Sequence, residues 1–472
     1  MLAEQFKTIV SQKLGYDFSP SQQRALDEFV SFFFEDNHES LFLLKGYAGS
    51  GKTSLVAAIV NTLVGFEIPV SLLAPTGRAA KVFSGYSGQT ALTIHKKIYR
   101  QKTERDGVGY FDLGFNPASR ALFFVDEASM ISLNSPDSTF GSGCLLDDLF
   151  SFVYNGRGNR LVLIGDVAQL PPVGTDISPA LDADYLRAAY GVDIREVNLT
   201  DVLRQAGQSG ILYNATLVRE MIGMGGCTRL LLKVAQFPDV IRVDGTDLLE
   251  ELDFCYSRFG IDETMVVCRS NKRANRFNAG IRARILYREE QLTGGDRVMI
   301  VKNNYFWGAE HDELDFIANG DIASVIKVGK YKELYGFHFA QVRLQLQEDE
   351  NELAVWVMLD TLDSEQPALA REDYSRLYHA VEEDYMDIAS RKKRQEKIRE
   401  NEYFNALQIK FAYAVTCHKA QGGQWDAVFI DPGWVEDSAC DDEYWRWLYT
   451  AFTRARHRLY LVNFKNEFFM AE

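Results

Sequence analysis

Four apolar runs mark the first half of the chain: residues 41–44 (LFLL), 70–74 (VSLLA), 121–125 (ALFFV) and 160–164 (RLVLI). Runs of this length, bounded by turn residues, predict buried strands. Between the first two lies Ser54-Leu55-Val56-Ala57-Ala58-Ile59-Val60, whose composition predicts a helix packed on a sheet. Residues 1–40 predict helix. Ser19 is placed to cap it, Pro20 takes the first helical position, and Leu26, Phe29, Val30 and Phe33 keep helical spacing. Residues 96–120 break this rhythm. They are basic at first (Lys96, Lys97, Arg100, Lys102), then rich in glycine and aromatics, and predict a small inserted hairpin or an aromatic-bearing surface loop. In the second half, strands are predicted at 264–268, 294–301 and 319–326. Alternating patterns at 337–346 and 353–359 predict a small β module. Residues 370–405 are charged and helix-prone, with Arg391-Lys392-Lys393-Arg394 on a solvated face. The sheet pattern resumes at 407–415, 427–430 and 458–462, and Trp434, Trp445 and Trp447 are expected to pack.

The residues that follow the apolar runs carry the chemistry. Gly46 to Thr53 reads GYAGSGKT, a P-loop between a strand and a helix. Gly46, Gly49 and Gly51, with Ser50 between them, let the backbone turn its N–H groups toward phosphate oxygens. Lys52 supplies a point charge, and the Thr53 hydroxyl suits Mg²⁺. A chance glycine turn would not be expected in this strand–loop–helix setting, so nucleoside triphosphate binding is predicted. Asp126 and Glu127 end a strand at the place where a parallel sheet holds its ligand. Asp126 suits Mg²⁺, and Glu127 suits polarisation of an attacking water. Gln169, in GDVAQLPPVG, is placed to sense a γ-phosphate. Gln22 offers a donor and an acceptor together, which suits an adenine edge. The stretch Pro75-Thr76-Gly77 puts a hydroxyl and backbone N–H groups at a sheet edge, where a phosphate backbone could be gripped.

Size and charge then set limits. With 472 residues, two to four domains are expected. A net charge of −15 argues against a protein that coats nucleic acid, though not against a locally basic groove. No run is long and apolar enough to cross a bilayer, and the N-terminus lacks the plan of a signal peptide, so a cytoplasmic protein without a membrane partner is expected. The six cysteines are scattered without metal-ligand spacing, as reduced thiols would be.

The ordered set of motifs resembles superfamily 1 helicases, in particular the 5′→3′ branch that includes RecD-like, Dda-like and Pif-type enzymes. The matching stretches are the Gln22 region, GYAGSGKT, APTGRAAK, the TIH ending at His95, VDEAS, GDVAQLPPVG, LTDVLRQ, TCHKAQGGQWD and YTAFTRAR. They run from residue 18 to residue 456. The resemblance implies an α/β fold of two RecA-like P-loop domains, each a parallel sheet flanked by helices, with a small insertion in the first and an SH3-like β insertion in the second. The boundaries so implied are 1–197 for the first domain, with its insertion at about 96–120. The second takes 198–326 and 407–472, and the β module with its charged helical segment takes 327–406. It further implies an ATP-dependent DNA helicase translocating 5′→3′ on single-stranded DNA, with ATP and Mg²⁺ as cofactors. Gln22 would read adenine. Gly46, Gly49, Ser50, Gly51, Lys52 and Thr53 would hold phosphates, with Thr53 and Asp126 on the metal. Lys52, Asp126, Glu127, Gln169, Arg204 and Arg454 would form the catalytic set. Thr76, Gly77, His95, Thr416, His418 and Lys419 would meet the nucleic acid. Framework roles are the alternative for the two histidines. Expected partners are single-stranded and tailed or forked duplex DNA, with replication or repair proteins beside them, acting on a monomer. The alternatives are an ATPase or translocase subunit of a nuclease or recombination complex, and an RNA helicase. The strand-separating aromatic would be one of Tyr99, Tyr110, Phe111 or Phe115. The short first insertion implies no long pin, and the early start of the motifs implies no N-terminal accessory domain. The helical stretch near 370–405 has no placed counterpart in the family.

Overall fold

The computed structural model describes residues 2–35, 39–103, 109–133, 141–201, 209–224, 230–308, 317–347, 352–434 and 440–470, with backbone only at 101–103 and 109–110. The first lobe opens with α1 (Leu2–Leu14) and α2 (Pro20–Phe34) and builds a sheet from β1 (Ser40–Gly46), β2 (Val70–Ala74) and β3 (Ala91–Thr93). Helices α3 (Lys52–Gly65), α4 (Gly77–Ser87) and α5 (Ile94–Ile98) lie between and after them. The hairpin β4 (Tyr99–Thr103) and β5 (Gly109–Leu113) follows, as the break in the apolar rhythm predicts. Then come β6 (Leu122–Val125), α6 (Leu145–Tyr154), β7 (Arg160–Gly165), α7 (Ala183–Tyr190) and β8 (Asp193–Leu199). The sheet order is β3-β2-β6-β7-β1-β8, and every pairing is parallel.

The central strands β1, β6 and β7 are buried on both faces, so each run is almost continuously apolar while its side chains alternate between two cores. Phe42 and Leu44 of β1 pack with α1, α2, α3 and α4. Leu41 and Leu43 pack on the other face with α5, α6 and α7. At about 1.5–3 kcal/mol for each large apolar side chain removed from water, these layers dominate the stability of the lobe. Helix α2 starts as predicted. Ser19 accepts from the Gln22 N–H, and the Gln22 side chain accepts from the Ser19 N–H, a reciprocal cap.

The second lobe contains α8 (Gly210–Met221), β9 (Val240–Val243), α9 (Leu248–Phe259), β10 (Thr264–Cys268) and α10 (Asn271–Arg284). Strands β11 (Arg297–Ile300), β12 (Ile322–Leu334), β13 (Phe337–Leu346), β14 (Glu352–Met358) and β15 (Leu407–Phe411) close a barrel. Helices α11 (Arg371–Glu383) and α12 (Arg391–Arg399) lie between β14 and β15. They join the barrel's core through Leu377, Val381 and Ile398 and turn their charged faces outward. The lobe closes with β16 (Ala414–Thr416), α13 (Cys417–Ala420), β17 (Trp425–Asp431), α14 (Asp442–Phe452) and β18 (Ala455–Val462). Its parallel sheet runs β16-β10-β17-β18-β9.

Several elements sit differently from the sequence expectation. The barrel takes β11, the start of β12 and β15, which the motif pattern placed in the second α/β unit, so it extends beyond 327–406 on both sides. The predicted strand 407–415 is two strands in two sheets, because the chain passes from barrel to sheet between Phe411 and Ala414. Strand β8 carries the first sheet to Leu199, past the expected boundary at 197. Trp445 and Trp447 are core residues, but Trp434 is 83% exposed, with the Lys465 ammonium over its ring. Among the described residues, no helix is long and apolar enough to cross a membrane.

Candidate nucleotide cleft and interlobe site

Three neighbouring strands deliver the site. The C-terminal ends of β1, β7 and β6 lead into the P-loop, Asp166 and Asp126-Glu127. Parallel strands in this order leave a crevice at their carboxyl ends. A cleft of about 330 Å³ lies there. Gly49, Gly51, Lys52, Thr53, Asp126, Glu127 and Gln169 line it from one lobe, and Arg454 and Arg456 from the other.

The local backbone fits phosphate. Gly49 and Gly51 have φ of 75° and 77°, left-handed values that turn the loop without steric cost. A side chain at Gly46 would come within 2.9 Å of Leu199, Ser50 and Lys52 atoms. Lys52 is the first residue of α3, where the positive end of the helix dipole lies, and its ammonium folds onto the Gly46 and Tyr47 carbonyls. The Gln169 Oε1 is buried and, among the described residues, has no hydrogen-bond partner. A polar atom in that state is costly unless a ligand or water satisfies it.

Asp126 is held at both oxygens. Tyr86 of α4 donates to its Oδ2 at 2.5 Å, and the Glu127 N–H donates to its Oδ1 at 2.8 Å. Burial raises both acidic groups above the ordinary carboxylate range. Glu127 occupies a left-handed conformation, φ 51°, that aims it into the cleft, and its carboxylate lies 3.9 Å from the Arg454 guanidinium. Arg454 is 2% exposed and tied to the Thr450 and Gly423 carbonyls and the Thr453 hydroxyl. Its charge is therefore presented by the second lobe in a fixed position.

The other expected residues are distributed as follows. Gln22 is fully buried behind the P-loop, its amide donating to the Ser50 and Gly51 carbonyls at 3.4 and 3.5 Å. Gly46 and Ser50 shape the loop without lining the cleft. Arg204 lies outside the described residues. Thr76 caps α4 by accepting from the Ala79 N–H. Beside it, Gly422 of the second lobe approaches so closely that a Cβ there would lie 3.2 Å from the Thr76 hydroxyl. Arg78 stacks on Trp425 at 3.9 Å. The stretches PTGR and QGGQW thus meet across the lobes. His95 is partly buried near Tyr99, and burial pushes its pKa down to about 4. His418 faces a second cleft of about 700 Å³ beside Pro171 and Pro172. Thr416 sits at the start of α13, and Lys419 follows within it. The Lys419 ammonium is buried without a partner among the described residues and is pushed down to about 8.

Sequence reasoning missed Tyr86, Asp166, Tyr449 and Arg456. Tyr86 lies just beyond APTGRAAK and Tyr449 opens YTAFTRAR, but a tyrosine on a helix carries no signal of which carboxylate it meets. Of the aromatic candidates in the insertion, Tyr99 and Phe111 are buried, while Phe115 is 83% exposed. The Tyr110 side chain lies outside the described residues.

Comparison with known proteins adds the following. Residues 17–221 match the AAA domain model, and residues 411–462 match the UvrD-like helicase C-terminal domain. The chain is similar to the ATP-dependent RecD2 DNA helicase of Deinococcus radiodurans, 29% identical over 211 residues, covering 44% of this chain and 24% of that protein. It is also similar to the ATP-dependent DNA helicase Pif1 of a Psychrobacter species, 25% identical over 429 residues, covering 82% of this chain and 61% of that protein. The chain thus spans about a quarter of the first relative's length and three fifths of the second's. A solved structure of Pif1 helicase from Bacteroides in complex with ADP-AlF3 and ssDNA aligns over 97% of this chain and 95% of that one, at 16% identity and a TM-score of 0.47.

Proposed function

We propose that this chain is a superfamily 1 helicase of the Pif1/RecD-like type, and that its interlobe cleft hydrolyses ATP to drive 5′→3′ movement on single-stranded DNA and the opening of duplex ahead of it. One observation carries the reading: a P-loop and acidic pair on one lobe face a fixed arginine of the other lobe across a single cleft, with Glu127 and Arg454 3.9 Å apart. A site split in this way completes its charge arrangement only when the lobes are together, so closure and hydrolysis are linked.

The residues divide the work. Lys52 and the P-loop N–H groups hold the phosphates. Thr53 and Asp126 would hold Mg²⁺. Glu127 accepts a proton from the attacking water, and Arg454 neutralises charge that develops on the phosphoryl oxygens. Bound ATP with Mg²⁺ supplies the phosphoanhydride whose cleavage drives the cycle. Tyr86 orients Asp126 by its 2.5 Å hydrogen bond. Tyr86→Phe is therefore expected to raise the Mg²⁺ concentration for half-maximal ATPase about tenfold, as for other partners that orient a metal ligand. An unchanged Mg²⁺ titration would remove Tyr86 from that role.

We assign the nucleic acid to the face where Thr76 meets the loop after α13, with Gly77, His95, Thr416, His418 and Lys419 proposed to contribute contacts. The partnerless Lys419 ammonium supports this assignment, because a phosphate oxygen would satisfy it. Phe115, exposed beside the hairpin, is the aromatic proposed to meet the duplex. The test is unwinding by the purified chain with ATP and Mg²⁺ on matched partial duplexes carrying a 5′ or a 3′ tail. Opening of the 5′-tailed duplex alone is the expected result. Opening of the 3′-tailed one would reverse the direction, and an ATPase that DNA does not stimulate would defeat the motor reading.

A further inference from the structure

We infer that Tyr449 is a positioning residue that latches the second lobe onto the nucleotide cleft, and that its hydroxyl helps to set the balance between closed and open lobes. Tyr449 lies on α14, just before the turn that carries Arg454, and is 1% exposed. Its hydroxyl donates to Asp166 Oδ2 at 2.6 Å and accepts from the Ala48 N–H of the P-loop at 2.8 Å. Both partners belong to the first lobe and both line the cleft. The hydroxyl thus makes one donated and one accepted hydrogen bond across the lobe boundary. Burial, and after it the negative Asp166 beside the phenol, raise its pKa, so it stays a donor at neutral pH.

Other contacts cross the same boundary. The Leu170 N–H donates to Thr450 Oγ1 at 2.8 Å, the Gln421 side chain donates to the Leu170 carbonyl at 2.7 Å, and Arg446 bonds the Val167 carbonyl. Those reach the segment after Asp166. The Tyr449 hydroxyl reaches the P-loop backbone itself and the Asp166 carboxylate. Any opening of the lobes must break both of its bonds and leave the Ala48 N–H and Asp166 to find other partners. A group whose bonds exist in one state only biases a two-state equilibrium by their full worth.

The test uses Tyr449→Phe in the intact chain, with Tyr444→Phe as control. Tyr444 is buried on the same helix, but its hydroxyl has no hydrogen-bond partner among the described residues. The first readout needs no nucleotide: interlobe distance in the free protein, by fluorescence transfer between labels on the two lobes. The second is the ATP dependence of hydrolysis. Losing two hydrogen bonds, one of them to a carboxylate, is expected to favour the open form about tenfold. It is also expected to raise KM for ATP by a similar factor, with kcat within about twofold, because saturating ATP restores closure. Tyr444→Phe is expected to match the parent in both. An interlobe distance in Tyr449→Phe equal to the parent's, or a shift of the same size in Tyr444→Phe, would overturn the inference. The role in hydrolysis rests on the proposed function. If the parent lacked ATPase activity, that reading would fail while the distance measurement still judged the latch.

Discussion

Replacing Glu127 by glutamine is expected to lower ATP hydrolysis about 10²–10⁴-fold while ATP affinity stays within about threefold. The amide keeps the shape of the side chain but cannot accept the proton of an attacking water. Binding survives because Lys52 and the loop N–H groups are untouched. The measurement is a pair: fluorescent-nucleotide titration and steady-state hydrolysis. If affinity collapsed with the rate, Glu127 would be a binding residue and not the activator. The same residue predicts the pH dependence. Burial raises its pKa above the usual glutamate value of about 4.3. The ionised form is the working one, so activity is full above the raised pKa and is lost as pH falls through it. The acid limb should therefore lie above the range of an exposed glutamate, and it should shift in the residual rate of Glu127→Gln, where Asp126 is the raised carboxyl that remains.

The second large effect belongs to Arg454. Arg454→Ala is expected to reduce kcat about 10³-fold or more, as removal of a charge-stabilising arginine does in phosphoryl transfer. Its guanidinium also ties the turn after α14 to the Gly423 carbonyl, so the alanine variant removes structure as well as charge. Arg454→Lys separates the two contributions. It keeps the charge but loses the fixed fork, and partial recovery of rate at parental melting temperature would assign the loss to charge at the reacting phosphate. A kcat near the parent's in the alanine variant would take Arg454 out of the chemistry.

Much of the arrangement was legible in the chain itself. Continuous apolar runs such as LFLL and RLVLI announce strands covered on both faces, because a strand buried once would alternate. The P-loop is local chemistry: glycines, a lysine and a threonine, all within eight positions of one turn. Ser19 and Pro20 announce the start of α2 for the same reason, since a cap is satisfied within one helical turn.

What the sequence alone determined, then, is whatever short-range sterics and hydrogen bonding decide: strands, caps, the phosphate loop, the acidic pair, and through their order a resemblance to superfamily 1 helicases. The tertiary structure decided where remote segments meet. The pattern at 407–415 is one apolar stretch, and only the closure of a barrel on one side and a sheet on the other divides it. Gln22 is a plausible base reader by type, yet its amide already holds Ser19 and the P-loop carbonyls. Tyr86 and Asp126 lie 40 positions apart, and Tyr449 and Ala48 lie 401 apart. Such pairings carry no local signature, because each arises when packed faces bring two helices and a loop to the same cleft. The charge of the site is likewise a tertiary property: burial, not residue type, raises Asp126 and Glu127 and leaves the Lys419 ammonium without a partner among the described residues.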